Sequence, residues 1–338
     1  MKDIARELGL SVVTVSKALR NHGDISEATR KRVMRRIEEV GYRPNLTARA
    51  LITGRTYTMG LIVPDLLHAF FAQIAKALSR AVRQKNYGVL IASSEEDPEL
   101  ERQEIAQLLA RRVDAILIAS AQWSVESFRR IEEQNTPYIL IDRHFAGLAA
   151  NFVGSDDVAA GRMATEHLIS QGCRRIVHIR GPQLSTGLGR LEGYRLALSS
   201  AAGGPLPEDV MPVGLSADDR GEADGYEAAQ KLLDRAAPPD GIFCFNDPVA
   251  TGVMQAVLER GFRIPEDIAI VGCGNVLYSG HLRVPLTTID QDSAAIGAEA
   301  GSLALSMVES RKPLPPESRI TKPKLVVRAS SLRRSGEC

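Results

Sequence analysis

The sequence predicts an all-α helix-turn-helix head followed by an α/β body of two doubly wound, parallel-sheet subdomains. Three observations carry this reading. The first sixty residues read as short helices punctuated by Gly9, Gly41 and Gly54. From Tyr57 onward, near-continuous apolar runs such as Gly60-Leu61-Ile62-Val63 alternate with amphipathic segments, the βαβα order of a parallel sheet buried on both faces. That pattern restarts after Asp156, and 338 residues exceed what one core of ordinary size supports.

In the head, Asp3 to Leu8 reads as a first helix closed by Gly9, a residue suited to the positive-φ turn position. Ser11 is a good N-cap for a second helix over Val12 to Arg20. Ser26-Glu27-Ala28-Thr29 opens a third, whose Val33, Ile37 and Val40 form an apolar stripe that Gly41 ends. Tyr42-Arg43-Pro44 is an extended link, because proline disfavours helix in the residue before it. Asn45 caps a short helical stretch, Leu46 to Ile52, terminated by Thr53-Gly54.

In the body, strands are expected at 59–63, 87–91, 115–118 and 138–141, with helices at 70–84, 99–111 and 125–134. After Asp156 the expected order is helix 158–171, strand 176–179 and helices 190–202 and 226–235. Strand 241–245, helix 249–260 and strand 268–272 follow. The tail adds a helix over 293–309 and a strand around 325–327. Short repeats and low-complexity tracts are absent from the sequence.

Charge is spread unevenly. Residues 1–60 carry 12 Lys and Arg against 6 Asp and Glu, whereas the whole chain nets +1. A basic head on a slightly acidic body points to a polyanion partner for the head alone. A composition of 44% hydrophobic and 25% charged residues is ordinary for a globular protein. No apolar run reaches the ~18–20 residues of a membrane span, and Met1–Glu7 lacks the apolar stretch of a signal peptide. A cytoplasmic chain with no membrane partner is therefore expected. Cys173, Cys244, Cys273 and Cys338 form no CxxC pair and have no His at ligand spacing, so no metal is expected. The first three read as small buried strand residues and Cys338 as a loose terminal thiol. No Walker P-loop, no GxGxxG after a strand, no HExxH and no GxSxG occurs, so neither catalysis nor a cofactor is expected. His178 reads as a packed strand residue.

Ala5, Gly9 and Val15 set an Ala-x3-Gly-x5-Val spacing. It supplies a small residue where two helices cross, glycine for the turn, and an apolar residue to pack the second helix. Ser11, Thr14 and Ser16 place hydroxyls around the start of that helix, where phosphate contacts are made. On this motif alone an ordinary helical hairpin stays open as the alternative. The wider sequence resembles the lactose-repressor (LacI/GalR) family. Lys2-Asp3-Ile4-Ala5, Gly9-Leu10-Ser11, Thr14-Val15-Ser16, Val40-Gly41-Tyr42-Arg43-Pro44-Asn45 and Ala48-Arg49-Ala50-Leu51 all fall in register. So do Gly60-Leu61-Ile62-Val63-Pro64-Asp65, Phe70-Phe71, Asp142-Arg143, Gly193-Tyr194-Arg195, Asn246-Asp247 and Pro285-Leu286-Thr287-Thr288-Ile289-Asp290-Gln291. The match spans nearly the whole chain. Several residues that usually precede Lys-Asp in the family, including an N-cap for the first helix, are not part of this sequence.

The resemblance implies a homodimeric transcription regulator, acting as a repressor on a palindromic double-stranded operator, with a small-molecule effector. It implies residues 1–44 as the DNA-binding domain and 45–56 as hinge helix and linker. The remainder, 57–338, would be an effector-binding and dimerisation domain of the periplasmic-binding-protein type. Its first subdomain would take about 57–154 plus 286–313, and its second about 155–285 plus 314–330. Val12, Val13 and Lys17 would face base edges, the valines reading thymine methyls and the lysine donating to guanine. Ser11, Thr14, Ser16 and Asn21 complete the contact set of the head; Asn45, Ala48, Arg49 and Leu51 supply that of the hinge. Leu51 would wedge into a central base step from the minor groove.

Ligands of open α/β sheets sit outside the C-terminal ends of the strands. Asp65, Asp142, Arg143 and Asn246 follow strands, and Phe70 and Phe71 begin the first body helix. Arg190 matches the family's cleft arginine ahead of Gly193-Tyr194-Arg195, and Gln291 ends the last matched run. Each of these effector-site candidates has a rival reading as a cap or structural ion pair. Two departures stand out. Val271-Gly272-Cys273-Gly274-Asn275 lies where the family commonly has Val-Gly-Phe-Asp-Asp, and Arg220 lies where an aromatic often stacks on the ligand. Loss of a carboxylate and gain of a guanidinium predict an electropositive pocket for an acidic effector, such as a sugar acid or phosphorylated sugar. A periplasmic solute-binding protein shares the two-lobed body but predicts a signal peptide and no DNA-binding head.

Overall fold

The computed structural model describes residues 1–19, 22–41, 50, 53–204, 206–213, 221–310 and 312–333. The chain divides into two compact units, Met1–Thr56 and Tyr57–Cys338.

In the first unit, α1 (Lys2–Leu8), α2 (Val12–Leu19) and α3 (Glu27–Glu39) close on a small core of Ile4, Ala5, Val15, Ala18, Val33 and Ile37. Gly9 ends α1 at φ +63°, a left-handed conformation that lets the chain reverse sharply into α2. Ser11 Oγ accepts the Thr14 N–H at 3.0 Å, and Ser26 Oγ accepts the Thr29 N–H at 3.3 Å, capping α2 and α3. Met1 stands at the N-cap of α1 and offers no side-chain acceptor. Arg36 Nε donates to Glu7 at 2.7 Å and ties α3 to α1.

In the second unit, a first sheet has the order β11-β5-β4-β3-β1-β2, all parallel. Its strands are β1 (Thr58–Val63), β2 (Gly88–Ser93), β3 (Ala115–Ile118), β4 (Tyr138–Ile141), β5 (Asn151–Ser155) and β11 (Ser318–Thr321). One face is covered by α4 (Ala69–Arg83) and α11 (Ser293–Glu309), through Phe70, Phe71, Ile74, Leu78, Ile296, Ala300 and Leu303. The other is covered by α5 (Pro98–Ala110) and α6 (Glu126–Glu133), through Ile105, Leu108, Phe128 and Ile131. The second sheet has the order β12-β10-β9-β8-β6-β7, parallel except at its β12 edge. Its strands are β6 (Ile176–Arg180), β7 (Val210–Pro212), β8 (Gly241–Cys244), β9 (Ala269–Cys273), β10 (Thr287–Asp290) and β12 (Lys324–Val326). Helices α7 (Asp157–Ser170) and α8 (Ser185–Ser199) cover one face, and α9 (Gly221–Leu233) and α10 (Asp247–Glu259) the other.

Several expectations are corrected here. The chain crosses between the lobes after β5, after β10 and after β11, not near residues 285 and 313. Thus 287–290, assigned to the first subdomain, is a strand of the second sheet, and 318–321, assigned to the second, is the edge of the first. Strands β5 (Asn-Phe-Val-Gly-Ser), β7 (Val-Met-Pro), β10 (Thr-Thr-Ile-Asp) and β11 (Ser-Arg-Ile-Thr) are additional to the expected ones: polar residues or proline interrupt each, so none shows the continuous apolar run of the expected strands. Helix α8 starts at Ser185, five residues before expectation, because glycines dilute its apolar stripe. Those glycines serve packing. A Cβ on Gly193 would lie 2.0 Å from the Val158 carbonyl oxygen, so only glycine lets α7 and α8 approach this closely. Cys244 and Cys273 lie in strands as expected, whereas Cys173 is buried in the turn before β6.

His178, in β6, is fully buried against the Phe243 ring, with centroids 4.5 Å apart, and its Nδ1 is 3.0 Å from the Phe243 carbonyl oxygen. Burial pushes its pKa down from 6.5 to about 3, so it is neutral in the folded chain. The sign follows directly: the unfolded chain binds the extra proton first, so stability is complete above pH 6.5 and is lost as the pH falls toward 3. Urea denaturation between those values should show a decline of up to ~1.4 kcal/mol per pH unit from this group. The decline should flatten in His178→Gln; an unchanged slope would place the acid sensitivity elsewhere.

Candidate functional site

The C-terminal ends of the two sheets face one another within the second unit. Between them lies a cavity of about 110 Å³ lined by residues of both lobes. Asp65 follows β1, and its Oδ1 accepts the Leu67 N–H at 2.7 Å. His68 caps α4, so Phe70 and Phe71 enter the cavity wall from the first turn of that helix. Asp142 and Arg143 follow β4, with Asp142 in the left-handed region at φ +62°. Asn246 follows β8 and caps α10, its Oδ1 accepting the Val249 N–H at 2.9 Å.

Two guanidiniums dominate the electrostatics, and both are already paired. Arg190 Nε donates to Asp157 at 2.9 Å and Nη1 to the Phe245 carbonyl at 2.7 Å, while the guanidinium carbon sits 4.7 Å from the Phe245 ring centroid. Arg143 makes a two-pronged pair with Glu96, at 2.8 and 2.6 Å, and donates to the Ser120 carbonyl at 3.1 Å. Its Nε is buried without a partner. Burial pushes the Asp142 carboxyl up, against the pull of Arg190 and Arg143. Burial likewise pushes Asp157 up, against Arg190. Asp65, Glu95, Glu96 and Asp142 line the cavity alongside Arg143 and Arg190. Among the described residues, then, each lining guanidinium is paired and carboxylates outnumber guanidiniums, while Arg220, on which the expected electropositive pocket also rests, lies outside them.

Asp65, Phe70, Phe71, Asp142, Arg143, Arg190, Asn246 and Gln291 all line this one cavity. Arg220 lies outside the described residues. Sequence reading missed His68, Glu95, Glu96, Thr186, Phe245 and Cys273, which also line it. The rule that ligands sit just beyond strand ends, applied to β2, β6 and β9 as it was to β1 and β4, points to Glu95, Glu96, Thr186 and Cys273. Gly274, where the family commonly carries an acid, has φ +128°, a conformation that side-chain-bearing residues rarely adopt.

In the first unit, α2 turns Val15 and Ala18 into the core and leaves Val12 and Val13 40% and 62% exposed. Lys17 is not free: its Nζ pairs with Asp24. Asn21, Asn45, Ala48, Arg49 and Leu51 lie outside the described residues. Among the described residues no cluster of three His, Cys, Asp or Glu could hold a metal, and no helix is long and apolar enough to cross a membrane.

Residues 1–45 match the model of bacterial regulatory proteins, lacI family, and residues 165–331 match a periplasmic binding protein-like domain. The chain is 34% identical to HTH-type transcriptional regulator DegA of Bacillus subtilis strain 168, with 97% of each chain covered. This chain belongs to the lacI family. It is 32% identical to the transcriptional regulator GalR of Escherichia coli K12, over 98% of this chain and 95% of that one. Among solved structures, a complex of the transcriptional regulator CelR with cellobiose aligns at a TM-score of 0.72 and 28% identity, covering 97% of this chain and 98% of that one. The lac repressor dimer bound to operator and the anti-inducer ONPF shares the fold at a TM-score of 0.84 and 24% identity, with 98% of each chain covered. As a lacI-family member the chain is a DNA-binding transcription regulator with an effector-binding domain, and its relatives are regulators rather than enzymes.

Removing one partner of a buried ion pair strands the other charge. Arg190→Met should therefore lower stability by about 3–5 kcal/mol, and adding Asp157→Asn should recover part of that loss. Urea melts of the two variants measure both steps; equal losses would mean the pair is not coupled.

Proposed function

We propose that this chain binds a palindromic operator as a homodimer and that its operator affinity is set by a neutral, hydroxyl-rich small molecule held between the two lobes. The observation that carries the ligand class is the pairing of both cleft arginines, Arg143 with Glu96 and Arg190 with Asp157. An added anion would meet Asp65, Glu95 and Asp142 without an uncommitted cation among the described residues to hold it. A sugar instead offers hydroxyls that both donate and accept, and C–H faces for Phe70, Phe71 and Phe245. Relatives support the class: one solved lacI-family regulator, from Enterococcus faecium, holds ribose, and CelR holds cellobiose.

The dimer reading rests on apolar surface in the second unit. Leu90 and Ile91 are exposed on the edge strand β2, near Leu66 and Leu67, and Leu277 and Tyr278 are exposed beyond β9. Operator reading rests on α2. Val12 and Val13 would meet thymine methyls; Lys17 would exchange Asp24 for a guanine, and Ser11, Thr14, Ser16 and Asn21 would contact the backbone. Asn45, Ala48 and Arg49 would extend the contact through the hinge, with Leu51 as the minor-groove wedge.

Calorimetry on the full chain should give saturable heat with one or more neutral sugars and none with the matching sugar acids or phosphates. Tight binding of the acids alone overturns the assignment. In a gel shift with the DNA upstream of its own gene, Leu51→Ala should bind at least ~10-fold more weakly while its ligand-binding heat is unchanged. Unchanged operator binding removes the wedge.

A further inference from the structure

A second cavity, of about 390 Å³, opens between the same two lobes, and Arg143 lines both it and the first. From the first lobe it is walled by Gln122, Trp123 and Phe145, and from the second by Gln183, Leu188 and Glu192. Its volume falls in the ~300–1,000 Å³ range of small-molecule sites. The lobes touch at this point, where the His144 N–H donates to Ser185 Oγ at 3.0 Å.

Trp123 is the sole tryptophan of the chain and is 65% exposed. Large aromatic side chains usually bury their area, and an indole left out on a slack loop would carry little meaning. This loop is not slack. Glu101 is fully buried beneath it, its carboxylate accepting the Ser120 hydroxyl at 2.7 Å and the Ala121 N–H at 2.5 Å. Gln122 is fixed through both backbone and side chain, with its N–H donating to Ser120 Oγ at 3.0 Å and its Nε2 to the Pro98 carbonyl at 2.6 Å. Burying a carboxylate is costly unless its hydrogen bonds return the energy. Here they go into pinning the three residues that lead to Trp123. The backbone that leads to the indole is thus fixed in advance of any ligand, which lowers the ordering cost that binding would otherwise carry.

We propose that this second cavity is a sugar-ring subsite with the Trp123 indole as its stacking face. The chemistry of the lining selects the class. The C–H face of a sugar ring packs on the electron-rich face of an indole, and the carboxamide of Gln183 and the carboxylate of Glu192 give its hydroxyls donors and acceptors. Arg143, already neutralised by Glu96, adds no demand for an anion. Because both lobes wall the cavity, an occupant favours the lobe arrangement seen here, as a ligand of the first cavity does.

The inference rests on the reading that the cleft takes sugars, and the experiment separates the two. D-ribose, D-glucose, cellobiose and lactose are titrated into the full chain by calorimetry and by tryptophan fluorescence, whose signal comes from Trp123 alone. At least one sugar should produce a saturable change in emission at the concentrations that give heat. A disaccharide filling both cavities gives one molecule per chain; two separate rings give two monosaccharides per chain. Trp123→Ala should weaken that sugar about tenfold by calorimetry with an unchanged Tm, and Leu188→Arg, which keeps the reporter, should abolish the emission change. Heat without any change in Trp123 emission overturns the subsite and leaves the sugar reading standing. No heat with any of the four sugars overturns the sugar reading, and this inference falls with it.

Discussion

Arg190 cannot shed its charge, so burying it obliges the fold to surround it with acceptors and a ring face. Asp157 at the start of α7, the Phe245 carbonyl beyond β8 and the Phe245 ring provide them. These groups come from two separate elements of the second lobe, and bringing them to Arg190 on a third dictates local packing. Helix α8, which carries Arg190, must run close against α7, which begins at Asp157. Gly193 allows that approach by leaving no Cβ at the Val158 carbonyl. Asp142 of the first lobe then feels the same guanidinium across the cleft, so one buried charge reaches both lobes.

The same constraint supports the proposed ligand class. A cation that arrives unpaired in a cavity invites an anion, whereas a cation that arrives with its carboxylate presents directional donors and acceptors at near-zero net charge. Arg143 with Glu96 repeats the arrangement on the first lobe. A ligand bridging these two neutralised pairs is recognised by hydrogen-bond geometry and by ring faces. Recognition of that kind suits a control ligand, because its bonds are made only when the lobes stand at one spacing, and a difference in affinity between lobe arrangements is what shifts an equilibrium.

Much of this was legible in the sequence. The Ala5-Gly9-Val15 spacing and the Ser11 cap foretold α1 and α2, and apolar runs such as Ile139-Leu140-Ile141 foretold the central strands. The strand-end rule singles out Asp65, Asp142, Arg143 and Asn246, and all four line one cavity. What stayed hidden has physical causes. Strands β10 and β11 are four residues each and exchange lobes, and nothing in a local pattern says which sheet a short strand joins. The partners of Arg143 and Arg190 lie 47 and 33 residues away, so nothing local in the sequence shows that either guanidinium is paired. Lys17 likewise reads as a free donor until Asp24, seven residues on, is seen beside it.

Under the proposed function, what the cleft holds controls what the head binds. Thermodynamic linkage makes this directly measurable, since the two affinities must change by one shared factor. The decisive measurement is calorimetric titration of the selected sugar into the chain alone and into the chain saturated with operator duplex, paired with operator titrations at zero and saturating sugar. Each affinity is expected to change by the same factor, on the order of 5–150-fold, in the same direction. Sugar affinity that is identical with and without operator would contradict it.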